Sequence, residues 1–165
     1  MEIEYKFPQQ FVYSVPLKFL SLNTATNCML TVTTNFTMHI PYEIKLGHIA
    51  DFKVEYRFYS KAEGGRETIP FQGYRSDFWY EHVGNVTNSI FMIWPEFENE
   101  IGEVIIESEI LNAGVARMWV INPQRRNYHK DKIKLGMTGY FMEASRKVAE
   151  CKVIEILGLH DNPVT

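Results

Sequence analysis

The residues whose side chains are best suited to binding a ligand form a basic segment in the second half of the chain. It interleaves cations with one phenol and one imidazole: Arg125, Arg126, Tyr128, His129, Lys130, Lys132 and Lys134. Cations placed among aromatic groups are typical of surfaces that bind phosphate or an acidic partner. An acidic stretch precedes it: Glu96, Glu98, Glu100, Glu103, Glu107 and Glu109. The simpler interpretation, which we favour, is that each stretch is a solvated loop or strand face, and the two could face one another.

Motifs for catalysis are missing from the sequence. It contains no GxxxxGK[ST] loop, in which backbone amides and a lysine would hold a magnesium-bound nucleotide. It contains no GxSxG nucleophile elbow, and none of the 5 histidines belongs to an HExxH pair. We therefore expect a binding function, with no enzymatic activity and no nucleotide, metal or other cofactor.

Size and composition favour one folded domain. The chain has 165 residues, 45% of them apolar, which suits a single domain or a domain of about 110 residues with an N-terminal extension. The formal net charge of −3 provides no general attraction for nucleic acid, so any RNA contact must be local.

The cysteines and the N-terminal residues favour a cytoplasmic location. Cys28 and Cys151 lie far apart without CxxC spacing, which favours buried thiols in a reducing compartment. The N-terminus lacks the basic start and the apolar stretch of a secretory signal. Because no apolar run reaches about 18 residues, we expect no membrane association.

Extended segments dominate the pattern of apolar residues, which recur at period two. Residues 52–58 are the clearest strand, and further candidates are residues 78–80, 89–93, 104–110, 117–121, 134–142 and 149–157. Turn signals such as Gly64-Gly65 and Asn122-Pro123 separate them. Short strands spaced in this way predict an all-β barrel or sandwich over residues 49–165. Residues 1–48 are interpreted as an extension that contributes one or two strands and packs on the barrel.

Two motifs resemble a known family. Residues 60–75 read SKAEGGRETIPFQGYR, and the Ser-Lys, Glu-Gly-Gly-Arg and Gly-Tyr-Arg matches at fixed spacing resemble the opening hairpin of the third domain of elongation factor Tu. Residues 136–149, GMTGYFMEASRKVA, resemble the segment around the last turn of that domain. The resemblance extends over residues 49–158, and the middle of this range aligns loosely.

The resemblance implies a six-stranded antiparallel closed barrel of the type found in that domain, without catalytic groups. In the parent factor this barrel contacts protein partners and the T-arm of aminoacyl-tRNA. Arg66 matches a family arginine near the T-arm, and Thr87 matches a threonine there. Asp77, Asn122 and Ala144 replace family residues that approach the RNA, which weakens the implication for tRNA.

These observations lead to two hypotheses for function. The first is docking of a protein partner, including self-association; the alternative is binding of a tRNA T-arm. The predicted binding residues are Arg66, Thr87, Arg125, Arg126, His129, Arg146 and Lys147. A structural role remains open for Arg66 and Arg146, because arginines beside hairpin turns often bind carboxylates of their own barrel.

Overall fold

The chain forms a mostly β structure with few and short helices. The computed structural model describes residues 38–85, 89–106 and 109–165. The strands are β1 (Phe52–Phe58), β2 (Asp77–Tyr80), β3 (Ile93–Phe97), β4 (Ala113–Val120), β5 (Thr138–Glu143) and β6 (Arg146–Ile156). The helices are α1 (Tyr42–Leu46) and α2 (Arg126–His129), with 3₁₀ turns at Lys61–Glu63 and Pro123–Arg125.

The six strands form one sheet in the order β2–β5–β6–β1–β4–β3, and all neighbours run antiparallel. Irregularities interrupt the β1–β6 ladder between Lys53 and Val54 and the β5–β6 ladder between Phe141 and Met142. Irregularities of this kind bend a strand and increase its twist. The sheet accordingly curves into a half-barrel.

The half-barrel is open between its two edge strands, β2 and β3. Phe78 of β2 and Phe91, just before β3, exchange two backbone hydrogen bonds of 2.9 Å. Among the described residues, the ladder does not continue beyond this pair, because β2 ends at Tyr80 and β3 begins at Ile93. The prediction of six antiparallel strands is confirmed, whereas the prediction of a closed barrel is wrong.

Aromatic side chains from several strands fill the concave side of the sheet. In β1, buried residues alternate with more exposed ones, and Phe52, Val54, Tyr56 and Phe58 all face the core. Their rings meet aromatic rings of other strands, as in the 5.0 Å contact between Tyr56 and Phe97. Burial of each such side chain contributes about 1.5–3 kcal/mol, so this face holds the barrel together.

The convex side of β3 and β4 is covered by α1. Tyr42 packs edge-on against Trp119, with 5.9 Å between ring centroids. The carboxylate of Glu96 accepts a 2.6 Å hydrogen bond from the backbone N–H of Tyr42 and lies 2.7 Å from Nε2 of His39. Glu96 and Glu98 are buried, so the predicted acidic stretch is not uniformly a solvated face.

Only residues 38–48 of the predicted N-terminal extension are described, and they contain α1. The one or two strands predicted for the extension lie mainly outside the described residues. Within the described part of the chain, no helix is both long and apolar enough to cross a membrane.

Several strand predictions need correction. The strand predicted at residues 89–93 is found later, at Ile93–Phe97, and residues 104–106 and 109–110 contain isolated bridges instead of a strand. The family's opening hairpin is not formed by β1 and β2, because β1 pairs with β4 and β6. The residues between β1 and β2 form a long loop that includes the 3₁₀ turn.

The paired glycines of this loop have different roles. Gly64 has the expected positive φ of 87° and ends the 3₁₀ turn. Gly65 does not have a positive φ; a Cβ atom there would lie 1.9 Å from the carbonyl oxygen of Tyr59. Gly65 is therefore required because two backbone segments approach closely, and this approach sets the path of the chain into Arg66.

Candidate binding surface

The β5–β6 hairpin ends in a two-residue turn, Ala144–Ser145. Ala144 has a φ of 50°, a left-handed conformation that costs a residue with a Cβ about 1–2 kcal/mol. Glu143 and Arg146 flank the turn and face each other as a ladder pair. A tight turn therefore holds a carboxylate and a guanidinium in direct contact at the end of the hairpin.

Glu143 is the centre of a cluster of donors from two segments, the β1–β2 loop and the start of β6. Its Oε1 accepts a 2.8 Å hydrogen bond from the hydroxyl of Tyr74 and forms an ion pair with Nη1 of Arg66. Its Oε2 accepts a hydrogen bond from Nη2 of Arg146. The Arg66 guanidinium also lies over the Tyr74 ring, 5.1 Å from its centroid. We name Arg66, Tyr74, Glu143 and Arg146 the arginine cluster.

The arginine cluster is partly open to solvent. The side chains of Arg66 and Glu143 are 28% and 26% exposed, and that of Arg146 is 52% exposed. Burial raises the pKa of the Tyr74 hydroxyl, and the positive charges of Arg66 and Arg146 oppose that rise. Tyr74 therefore remains a hydrogen-bond donor at neutral pH. Because the arginine side chains are partly exposed, an incoming group can reach them from solvent.

Lys147 follows the cluster and lies on the convex wall of the sheet. Its ammonium is 3.6 Å from the ring centroid of Tyr140 and 4.7 Å from that of Trp79. The two rings are neighbours on β5 and β2, with centroids 5.7 Å apart, and both are half-buried. Cation–π contacts of this kind contribute about 0.5–1 kcal/mol at exposed sites. We name Trp79, Tyr140 and Lys147 the aromatic platform.

The basic segment lies at the other end of β5. Tyr80 and Gly139 are partners at that end of the β2–β5 ladder, and Tyr80 contacts His129. At about 3.3 Å per residue, the length of β5 separates the two ends by roughly 15–20 Å. The described members of the predicted set therefore do not form one site: Arg66, Arg146 and Lys147 adjoin the β5–β6 turn, and the members from the basic segment adjoin the opposite rim.

Arg126 is buried and satisfied within the protein, contrary to the prediction of a surface contact. Its Nε donates a 2.7 Å hydrogen bond to Oδ1 of Asp51, and both side chains are almost fully buried. Its other nitrogens contact Nε2 of His48, the Val120 carbonyl and the Pro163 carbonyl. A guanidinium bonded in this way connects α2 to the sheet and to the C-terminal residues, and it presents no charge to a partner.

His129 is also buried. Its Nδ1 lies 2.7 Å from the Tyr80 hydroxyl, and its ring packs edge-on against Phe91 at 4.7 Å. Burial, with help from the charges of Lys132 and Arg125, lowers the pKa of His129 to about 4. The imidazole is therefore neutral at physiological pH, and its Nδ1 accepts a hydrogen bond from the Tyr80 hydroxyl. It serves the core and not an anion-binding surface.

Arg125 is the exposed residue of the predicted set at this rim. Exposed or half-exposed lysines accompany it: Lys130, Lys132 and Lys134. The Lys132 ammonium lies 3.8 Å from the Tyr128 ring centroid and donates a 3.0 Å hydrogen bond to the Tyr128 carbonyl. Thr87, the remaining predicted residue, lies outside the described residues.

The binding residues predicted from the sequence do not include Glu143, Trp79 and Tyr140, which help to organise the surface. Glu143 was not singled out, although it lies three positions before Arg146 across a tight turn. Trp79 and Tyr140 are adjacent only because β2 pairs with β5, which the sequence does not reveal. The signal that could have identified them is the alternation of β2 and β5, which places both rings on the convex face.

Other chemically capable groups are few in the described part of the chain. No three histidine, cysteine or acidic side chains there lie close enough together to bind a metal ion. Cys151 is a free thiol inside the core, and burial raises its pKa well above the usual range. A buried, protonated thiol is a poor nucleophile, so Cys151 belongs to the core.

Comparison with known proteins gives no further assignment: no protein-family model matches the chain, and no curated protein matches it significantly.

Proposed function

We propose that this chain is a non-enzymatic binding module that docks an acidic segment of a protein partner in the cytoplasm. The binding surface consists of the arginine cluster and the adjoining aromatic platform. The observation that carries the proposal is the convergence of Arg66, Arg146 and Lys147 at the β5–β6 turn, beside half-exposed Trp79 and Tyr140. Arginine and exposed aromatic side chains supply most of the binding energy at protein interfaces.

Charge favours an acidic partner at this surface. Arg66, Arg146 and Lys147 carry three positive charges; Glu143 offsets one of them, and Asp77, which pairs with Met142 beside the turn, offsets a second. The chain as a whole has a net charge of −3, so this local excess stands out against an acidic background. Complementary charge of this kind increases association rates and selects partners.

We further propose that the chain is related to the third domain of elongation factor Tu, with a sheet that is open where the barrel of that domain is closed. Two features support this relation. The sheet has six antiparallel strands, and the two motifs that carry the resemblance contact each other through Arg66 and Glu143. A relation of this kind would make a translation factor the natural class of partner.

A retention experiment tests the proposed function. The chain is immobilised, and proteins retained from its own lysate are identified with the unmodified chain, with an Arg66→Ala/Arg146→Ala/Lys147→Ala variant, and with a control. The control, Arg125→Ala/Lys130→Ala/Lys134→Ala, removes three cations from the opposite rim. We expect one defined protein to be retained by the unmodified chain and by the control, and lost from the site variant. Equal retention by all three would refute the proposed surface.

Binding of a tRNA T-arm is the second candidate, and the aromatic platform favours it. Bases stack on exposed rings beside cations, at about 1–3 kcal/mol per base. Asp77, at the start of β2, opposes it, because its carboxylate repels the RNA backbone. If tRNA is the ligand, its affinity will fall steeply with added salt and will drop in the site variant. Absence of tRNA binding at low salt removes this candidate.

A further inference from the structure

The arginine cluster contacts the carboxylate of Glu143 in the way that it would contact a carboxylate from another molecule. Tyr74, from the loop before β2, and Arg146, at the start of β6, donate hydrogen bonds to Glu143. Arg66, from the same loop as Tyr74, forms an ion pair with it. Its two oxygens are divided between the arginines, with Arg66 on one and Arg146 on the other. Paired arginines around a carboxylate are a common arrangement for recognising acidic groups.

We propose that Arg66, Arg146 and Tyr74 form a binding site for an acidic side chain of the partner, and that Glu143 occupies this site in the free protein and is displaced on docking. This inference rests on the proposed function and adds the chemistry of the partner residue and a built-in competitor. Glu143 is then an internal substitute for the carboxylate that the partner supplies.

Displacement of Glu143 is energetically accessible. The ion pairs of Glu143 are partly exposed to solvent, which weakens them, so a partner carboxylate of equal quality can replace Glu143 at little cost. The arginines also have donors to spare, because a guanidinium carries five N–H groups and Glu143 contacts one terminal nitrogen of each. The exposed Arg146 side chain gives an incoming group access to the site.

The ligand assigned to this site is a carboxylate and not an RNA phosphate. The arginine cluster already contacts a carboxylate, that of Glu143. An RNA backbone also needs cations along its length, and a chain with a net charge of −3 provides no general attraction of that kind. Lys147 of the aromatic platform provides a second contact for the same acidic segment.

Binding of a fluorescently labelled oligoglutamate peptide, measured by anisotropy, tests the inference. Glu143→Gln removes the competing charge and should strengthen binding by up to about five-fold, the equivalent of one exposed ion pair. Glu155→Gln is the matched control, because it removes one exposed negative charge from the far end of β6. Its affinity should stay near that of the unmodified chain.

A double variant and two further ligands complete the test. Adding Arg66→Ala to Glu143→Gln should abolish the gain, and an oligoglutamine peptide of equal length should not bind. An equal gain in Glu155→Gln, or no gain in Glu143→Gln, would overturn the competitor role. Tighter binding of oligouridylate than of oligoglutamate by Glu143→Gln would overturn the assignment of a carboxylate. These results are independent of the retention experiment, so a partner retained through this surface without any Glu143 effect would leave the proposed function intact.

Discussion

At the scale of single residues, two adjacent arginines have opposite environments. Arg125 is exposed, whereas Arg126 is buried in an ion pair with Asp51. Loss of one member of a buried ion pair leaves the other charge without compensation, at a cost of about 3–5 kcal/mol. Truncation of the exposed Arg125 should change the free energy of unfolding by less than about 0.5 kcal/mol.

We therefore expect Arg126→Ala to lower the free energy of unfolding by about 3–5 kcal/mol, with Arg125→Ala close to the unmodified protein. Urea denaturation followed by tryptophan fluorescence measures both values. A fall of similar size in the two variants would contradict the structural role of Arg126.

The buried imidazole of His129 links stability to pH. Burial lowers its pKa to about 4 in the folded protein, whereas an unfolded chain has a histidine pKa of about 6.5. The unfolded chain therefore takes up the proton first. The stability that neutral His129 provides is fully present above about pH 6.5 and is lost as the pH falls toward 4.

The unmodified protein should accordingly lose about 2–3 kcal/mol of stability through this residue between pH 7 and pH 4.5. A His129→Gln variant, which keeps an acceptor for Tyr80, should lack this part of the loss. Urea denaturation at both pH values measures the difference, and His160→Gln, at an exposed histidine, is the control. If His129→Gln loses as much stability in acid as His160→Gln, His129 is not the titrating group.

At the scale of elements, the β5–β6 turn combines a strained backbone with the arginine cluster. Ala144 adopts a φ of 50°, while Ser145 is not among the positive-φ residues of the described chain. Glycine takes up this conformation without steric cost but has more freedom in the unfolded state. At position 144 the relief of steric strain in the folded state is larger than the cost of extra freedom in the unfolded state.

Ala144→Gly should therefore stabilise the protein by about 0.5–1 kcal/mol. Ser145→Gly is the matched control and should destabilise it by a similar amount, because no strain is relieved there. Thermal unfolding of both variants gives the comparison. A loss of stability in Ala144→Gly would contradict the strained turn.

Strand positions could be predicted from the sequence where apolar and polar residues alternate strongly. The predictions failed where a strand depends on pairing with a distant segment. Residues 52–58 were predicted as a strand from period-two apolar residues, and β1 has these bounds. Residues 104–110 have similar residue types but no strand is found in their described part, since Val104 and Glu109 pair only as isolated bridges. Local pattern cannot show whether a neighbouring strand has free hydrogen-bonding groups.

The site was predictable only in part, for a related reason. Arg66, Arg146 and Lys147 were identified from motifs, and the structure brings them to one turn. Arg126 and His129 were grouped with Arg125 because sequence proximity suggested a shared surface. Their burial depends on Asp51 and Tyr80, which are distant in sequence and become neighbours only in the folded sheet.

At the scale of the whole molecule, the charged groups separate into regions with different tasks. Buried charges such as Asp51, Arg126, Glu96 and Glu98 serve the fold. The surface at the β5–β6 turn keeps a local positive excess within a chain of net charge −3. The opposite rim keeps exposed cations around Arg125. Two positive regions thus lie at opposite ends of β5, and the proposed docking of an acidic partner assigns it to the first of them.

Zero-length cross-linking of the retained partner decides between these two regions most directly. A carbodiimide joins lysine amines to carboxylates that touch them, and mass spectrometry identifies the linked lysine. The proposed function predicts that acidic residues of the partner are linked to Lys147, at the aromatic platform. Links confined to Lys130, Lys132 and Lys134, with none at Lys147, would contradict it.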